Sequence, residues 1–193
     1  MSIVDAILYK KINPGDLWNI DRPSGSGPTS GGGQTYINLA IDDTDLEGFL
    51  KYGCRTPKPY DHKSRDTITI SASTLGSPME TSSISFDPRS NRNDYTIANQ
   101  HKYRHPAWTT AHGFPSIPPK CKDSEDVRVS GVTEDLVILI FRTTDGIYIA
   151  SYTNYHSKPS NWKKGIGLKK IFSGSTGILN FKAELELDID SFL

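Results

Sequence analysis

The chain has 193 residues, 35% of them hydrophobic, with sixteen glycines and twelve prolines, which suits one loop-rich domain of all-β or mixed type with a single core. Lysine plus arginine balances aspartate plus glutamate at 22 each, so the net charge exerts no global pull toward nucleic acid or membrane and argues against a non-specific polyanion binder. No stretch approaches the roughly 20 apolar residues of a membrane span, and the N-terminus lacks the basic and apolar regions of a signal peptide. The two cysteines, Cys54 and Cys121, lie outside any CxxC pattern, which suits reduced thiols in a cytoplasmic protein, a single disulfide being the alternative.

Residues 3–12 mix apolar and polar positions without clear periodicity and read as either a short helix or an edge strand. Leu17–Trp18–Asn19–Ile20 is a short apolar stretch expected to pair with the alternating run 35–41, a strand. Between them Arg22–Gln34 holds seven glycines and prolines in thirteen residues, too irregular for helix or strand. Residues 42–53 carry the marks of a short helix: an acidic first turn behind an Asp or Thr cap, Leu46, Phe49 and Leu50 on one face, and Gly53 as a stop. A Pro-containing loop over 54–66 leads to Thr67–Ser73, which alternates at period two and predicts a strand. Ile84 and Phe86 mark another strand, and Tyr95–Ala98 a third, so that Arg89–Asp94 forms the tip of a hairpin.

Residues 99–122, with three histidines, Trp108 and four prolines, read as an ordered but irregular excursion. Asp135–Arg142 and Ile147–Tyr152 are β-rich runs separated by Asp145–Gly146, the signature of a central hairpin. The tail 179–190 alternates and is expected to close a barrel.

Catalytic signatures are weak. Gly31–Gly33 precedes a strand and no Gly-Lys-Ser/Thr follows, which disfavours a nucleotide loop. Asp43–Gly48 mimics the start of a calcium loop, but the twelfth position is Cys54; helix capping explains the acids more simply. His101 and His105 have metal-compatible spacing, yet Pro106 follows and no further ligand is near. No nucleophile elbow or carboxylate cluster stands out.

Charge is nevertheless segregated: residues 89–105 carry Arg89, Arg92, Lys102 and Arg104 against Asp94, and 158–170 carry five lysines and no acid. The two polar segments hold the side chains that grip phosphates and read base edges. Arginine can bond guanine twice, Asn or Gln can do so with adenine, and Asp accepts from the cytosine amino group. The plain alternative for each is a solvated connector.

At these residues the chain resembles the B3-like DNA-binding effector domains of type II restriction endonucleases of the EcoRII type. The resemblance rests on Arg22–Pro23–Ser24, Thr29–Ser30–Gly31–Gly32–Gly33–Gln34, the strand from Tyr36, and Arg92–Asn93–Asp94, within residues 15–155. Gly33 stands where the EcoRII-type sequence has a histidine, and Tyr95 and Thr96 where it has basic residues. The resemblance implies a mainly β fold, an open seven-stranded pseudobarrel with one or two short helices, gripping the major groove of double-stranded DNA between two arms. The first would comprise Arg22, Ser24, Ser26, Thr29, Ser30 and Gln34 with Tyr36 at its base; the second Arg89, Ser90, Asn91, Arg92, Asn93 and Asp94. It further implies a candidate site CCWGG (W, A or T) and a non-catalytic effector or targeting domain occupying residues 1–193. DNA binding would need no cofactor, Mg2+ serving only a separate nuclease domain placed C-terminally in a larger enzyme. The competing expectations are a small metal-dependent nuclease and a β-rich protein or carbohydrate interaction module.

Overall fold

A computed structural model of the chain describes residues 2–22, 36–59, 61, 63–90, 92–98, 105–154, 168–181 and 187–192. The fold is mainly β. Its strands are β1 (Val4–Lys11), β2 (Ile37–Leu39), β3 (Cys54–Pro57), β4 (Asp66–Thr74), β5 (Ser77–Pro88), β6 (Tyr95–Ile97), β7 (Val137–Thr143), β8 (Tyr148–Thr153) and β9 (Thr176–Asn180). They form one nearly closed, barrel-like sheet in the order β2-β6-β5-β4-β8-β7-β1-β9, with β3 also paired to β4. The β-rich pseudobarrel is thus as expected in class, with nine strands among the described residues where the resemblance implied seven. One edge of β4 is shared: its first half pairs antiparallel with β3, and Ala72–Thr74 pairs parallel with Tyr148–Ala150 of β8.

The periodicities of the strands follow from what covers them. β4 and β5 place Ile68, Ile70, Ala72, Ile84 and Phe86 in the main core, while the intervening Thr69 and Ser85 face outward and bond each other at 3.0 Å. β1 and β7 are buried on both faces. Ala6, Leu8, Ile138 and Ile140 join the main core, whereas Ile7, Tyr9, Val137, Leu139 and Phe141 join a second, smaller one. A strand covered on both sides reads as an unbroken apolar run, hence Leu136–Phe141.

Among the described residues there are four short α-helices, α1 (Pro14–Asp21), α2 (Asp43–Phe49), α3 (Ser124–Ser130) and α4 (Leu168–Ser173), where the resemblance implied one or two. Leu17–Ile20, expected to pair as a strand, lies in α1. Asn13 accepts from the Asp16 N–H at 2.8 Å while Asp16 accepts back from the Asn13 N–H at 3.2 Å, and Pro14 at the first position completes a strong helix start. α2 begins where expected: Asp42 caps it by accepting from the Thr44 N–H at 2.9 Å, and Leu46 and Phe49 face the core. Its C-terminal carbonyls, orphaned as at any helix end, are met from β7. Arg142 donates to Gly48 O and Phe49 O at 2.8 and 3.0 Å while forking onto Asp5 at 2.8 and 2.9 Å.

The 54–66 segment, expected as a loop, contains β3. Among the described residues the tail adds β9 beside β1 at one end of the sheet, with β2 at the other. Of the alternating tail, 182–186 lie outside the described residues. Both cysteines are free, Cys54 exposed and Cys121 buried, so no disulfide joins them. No helix among the described residues is long and apolar enough to cross a membrane.

Candidate nucleic-acid interface

The second polar segment is the tip of the β5–β6 hairpin, as expected. Phe86, Asp87 and Pro88 face Ile97, Thr96 and Tyr95. Pro88 has no N–H and ends the ladder. The chain then turns: the Arg92 N–H donates to Arg89 O at 2.9 Å, and the Arg89 N–H closes the loop on Asp94 O at 3.0 Å.

This turn is held from beneath by Arg65, whose side chain is 8% exposed. Its guanidinium donates to Arg89 O at 2.7 Å and to Arg92 O at 2.9 Å. It also forks onto Asp61 at 3.1 Å through both Nε and Nη2, and reaches both oxygens of Asp43 at 3.0 Å. Every direction of the planar fork is occupied, which a lysine could not reproduce. The Arg65 side-chain hydrogen bond, with the Arg65 N–H and Lys63 N–H adding to it, pushes the Asp61 carboxyl down to about 2. Tyr95 completes the bed: the guanidinium carbon lies 5.6 Å from its ring centre, and its hydroxyl donates to Glu47 Oε1 at 3.1 Å. Burial first, and then Glu47, raises the Tyr95 phenol far above its ordinary range, so it remains a donor. One buried arginine therefore ties α2, the 58–65 loop and the hairpin tip together.

Above this bed lies an open cleft of about 650 Å³ lined by Tyr36, Lys58, Asp87, Arg89, Ser90 and Arg92, with Pro88 and Thr96. Lys58 is fixed by donating to Pro88 O at 2.9 Å. Arg89 donates to Asn38 Oδ1 on β2 at 2.9 Å and lies 3.5 Å from Asp94 Oδ2. Arg89 and Asp94 thus brace the loop, whereas Arg92, which lines the cleft, and the adjoining Asn93 are exposed.

Of the first arm, the structure places only the ends. Arg22 is the C-cap of α1, its N–H donating to Trp18 O at 3.1 Å, and Tyr36 precedes β2 and lines the cleft. Ser24, Ser26, Thr29, Ser30 and Gln34 lie outside the described residues, as does Asn91. Because β2 pairs with β6, Tyr36 and the second arm are brought to one end of the sheet. Arg65, Asp61, Lys58 and Asp87 were not singled out from sequence, and Asp43 was read as part of a helix cap. An Asp and an Arg four apart in a loop form no motif, and their partners come from 22 to 27 residues away.

Within the histidine excursion, His105 has a packing role. His105 is fully buried; its Nδ1 accepts from the Ala107 N–H at 3.2 Å, so Nε2 carries the proton donated to Ala72 O at 2.7 Å. Both ring nitrogens are thus engaged, and burial lowers its pKa. His101 lies outside the described residues, among which no group of three His, Cys, Asp or Glu is placed to hold a metal. Comparison of the chain with protein-family models, with curated proteins and with solved structures found no match.

Proposed function

We propose that residues 1–193 form a sequence-specific, double-stranded DNA-binding domain, acting as the effector or targeting domain of a type II restriction endonuclease. The observation that supports it best is the buried Arg65 brace under the 89–94 turn, which preorganises a tip whose Arg92 and Asn93 stand exposed beside a cationic cleft. A loop that were only a connector would need no such anchoring, and rigid presentation lowers the entropic cost of a specific contact. The sequence resemblance independently names both this segment and Tyr36, which share the cleft. The assignment extends to two arms in the major groove, to CCWGG as the first site to test, to metal-independent binding, and to a nuclease domain C-terminal to this one as the partner that cuts.

The direct test is a selection from a random duplex pool in EDTA, followed by gel shifts with CCWGG and scrambled duplexes. Enrichment of one short motif and a preference for it of at least about 10³ over scrambled DNA are expected, the low end for specific binders. Equal affinity for all duplexes, or none for any, would remove this reading. Magnesium-dependent cleavage by the same 193 residues would replace it with the nuclease alternative.

A further inference from the structure

The cleft contains a carboxylate where a phosphate-gripping surface has no use for one. Asp87 lines it together with Lys58, Arg89 and Arg92, and its side chain is 35% exposed. Oδ1 accepts from the Thr67 hydroxyl at 2.8 Å, which fixes the rotamer. Among the described residues Oδ2 has Lys58 Nζ at 3.9 Å, beyond hydrogen-bond distance, and that ammonium donates at 2.9 Å to Pro88 O. Each carboxylate oxygen can accept about two hydrogen bonds, so this one keeps acceptor capacity directed at whatever enters.

Toward a phosphate backbone such a group is repulsive. A ligand that is anionic in one part and rich in N–H donors in another would satisfy both halves of the lining. Within duplex DNA that description fits a nucleotide whose base bears an exocyclic amino group, cytosine through N4 or adenine through N6.

We propose that Asp87 is a specificity-determining residue: it accepts a hydrogen bond from the exocyclic amino group of a cytosine or adenine, while Lys58, Arg89 and Arg92 neutralise the flanking phosphates. This rests on the cleft being the DNA-binding surface proposed above. Asp87 would discriminate doubly, rewarding the amino group and penalising the carbonyl oxygen that guanine or thymine presents at the same place.

The test couples the residue to the atom. CCWGG duplexes are prepared with one base at a time replaced by an analogue lacking only its amino group, purine for adenine and pyrimidin-2-one for cytosine, and binding is measured for the full 193-residue chain and for Asp87→Asn. The variant keeps an oxygen to accept from Thr67, and its thermal melt should match the parent. For the unsubstituted protein, one analogue position should weaken binding about tenfold or more, as expected for one good base contact. For Asp87→Asn that same substitution should change binding less than about twofold, while affinity for scrambled duplex rises because a negative charge has left the cleft. A purely structural Asp87 would instead lower affinity for both duplexes together. A flat analogue scan of the unsubstituted protein, which needs no variant, overturns the assignment, as does an identical scan for Asp87→Asn. A parent chain that does not prefer CCWGG to scrambled DNA overturns the underlying site reading, and a separate result on unmodified duplexes identifies that failure.

Discussion

Replacing Arg65 by alanine should be the most damaging single change near the interface, for reasons that can be counted. The substitution removes the partner of Asp61, whose side chain is 0% exposed, and of Asp43, at 24%, and it orphans one lone pair on each of two turn carbonyls. Breaking a buried ion pair from one side costs about 3–5 kcal/mol, because the remaining charge stays buried without compensation. The Lys63 and Arg65 backbone N–H groups still serve Asp61, and Arg92 still donates to Arg89 O, so the carbonyls add little to that range. For a chain of this size it corresponds to a Tm lowered by roughly 6–20 °C. Differential scanning calorimetry measures this directly. Arg65→Lys separates folding from function: it retains a charge for Asp61 but cannot fork onto Arg89 O and Arg92 O at once. At a temperature where it is folded it should lose discrimination between specific and scrambled duplexes by more than it loses affinity for scrambled DNA. A Tm within 2 °C of the parent for Arg65→Ala, or full discrimination by folded Arg65→Lys, would refute the brace.

Further outcomes follow from the same contacts. Arg142→Met removes the fork onto Asp5 and the donors to the end of α2, and should cost about 3 kcal/mol or more in urea unfolding, without altering the order of preference among DNA sequences. Arg92→Ala, in contrast, leaves the melt within about 0.5 kcal/mol and should weaken binding to the selected site by about 1–3 kcal/mol in a gel shift; parental affinity would remove Arg92 from the interface. His105, whose folded pKa lies below the usual 6.5, contributes stability that is fully present above that value and is lost as pH falls below it toward the folded value. His105→Gln should therefore flatten the dependence of Tm on pH below about 6.5, and an unchanged profile would count against a neutral buried ring. Asp61, its carboxyl depressed to about 2, contributes stability present above the unfolded value and lost only as pH falls toward 2, so its acid phase should be separable from that of His105.

Elements with one face on the core were legible from the chain. β4 alternates because Ile68 and Ile70 point inward while Thr67 and Thr69 do not, and α2 announces itself through Asp42 and its apolar stripe. β1 was ambiguous for the opposite reason: with Ile7 and Leu8 serving different cores, no alternation survives. Leu17–Ile20 was misread because four residues cannot separate a period of two from one of 3.6, although the Asn13–Asp16 box and Pro14 signalled a helix. The caps of α3, Asp123 before it and Gly131 at φ 72° after it, were equally available signals. At the candidate site the hairpin tip was legible and its support was not. Arg65 acquires its role only when the 58–65 loop, α2 and the hairpin converge, a tertiary fact with no local trace.

The neutrality of the chain, which first argued against a polyanion binder, acquires a physical role around the cleft. Three acids near the second arm are engaged by residues outside the cleft lining, Asp61 and Asp43 by buried Arg65 and Glu47 by Arg55 and Tyr95, while Asp94 lies 3.5 Å from Arg89 and Asp87 3.9 Å from Lys58. Lys58, Arg89 and Arg92 remain as the cations lining the cleft. Each phosphate neutralised contributes about 0.9 to the slope of log K against log salt, so three predict a slope of about −3 for scrambled duplex. So shallow a slope means weak non-specific binding, and discrimination would then rest on base contacts and not on suppression of a strong background. The five lysines of 158–170 offer the sharpest challenge, since each one that also touches phosphate steepens the slope by about one. Measured from 50 to 300 mM salt, a slope of −6 or steeper that relaxes when those lysines are replaced would show that the backbone grip lies outside the cleft. It would also make the charge balance of the whole chain irrelevant to its selectivity.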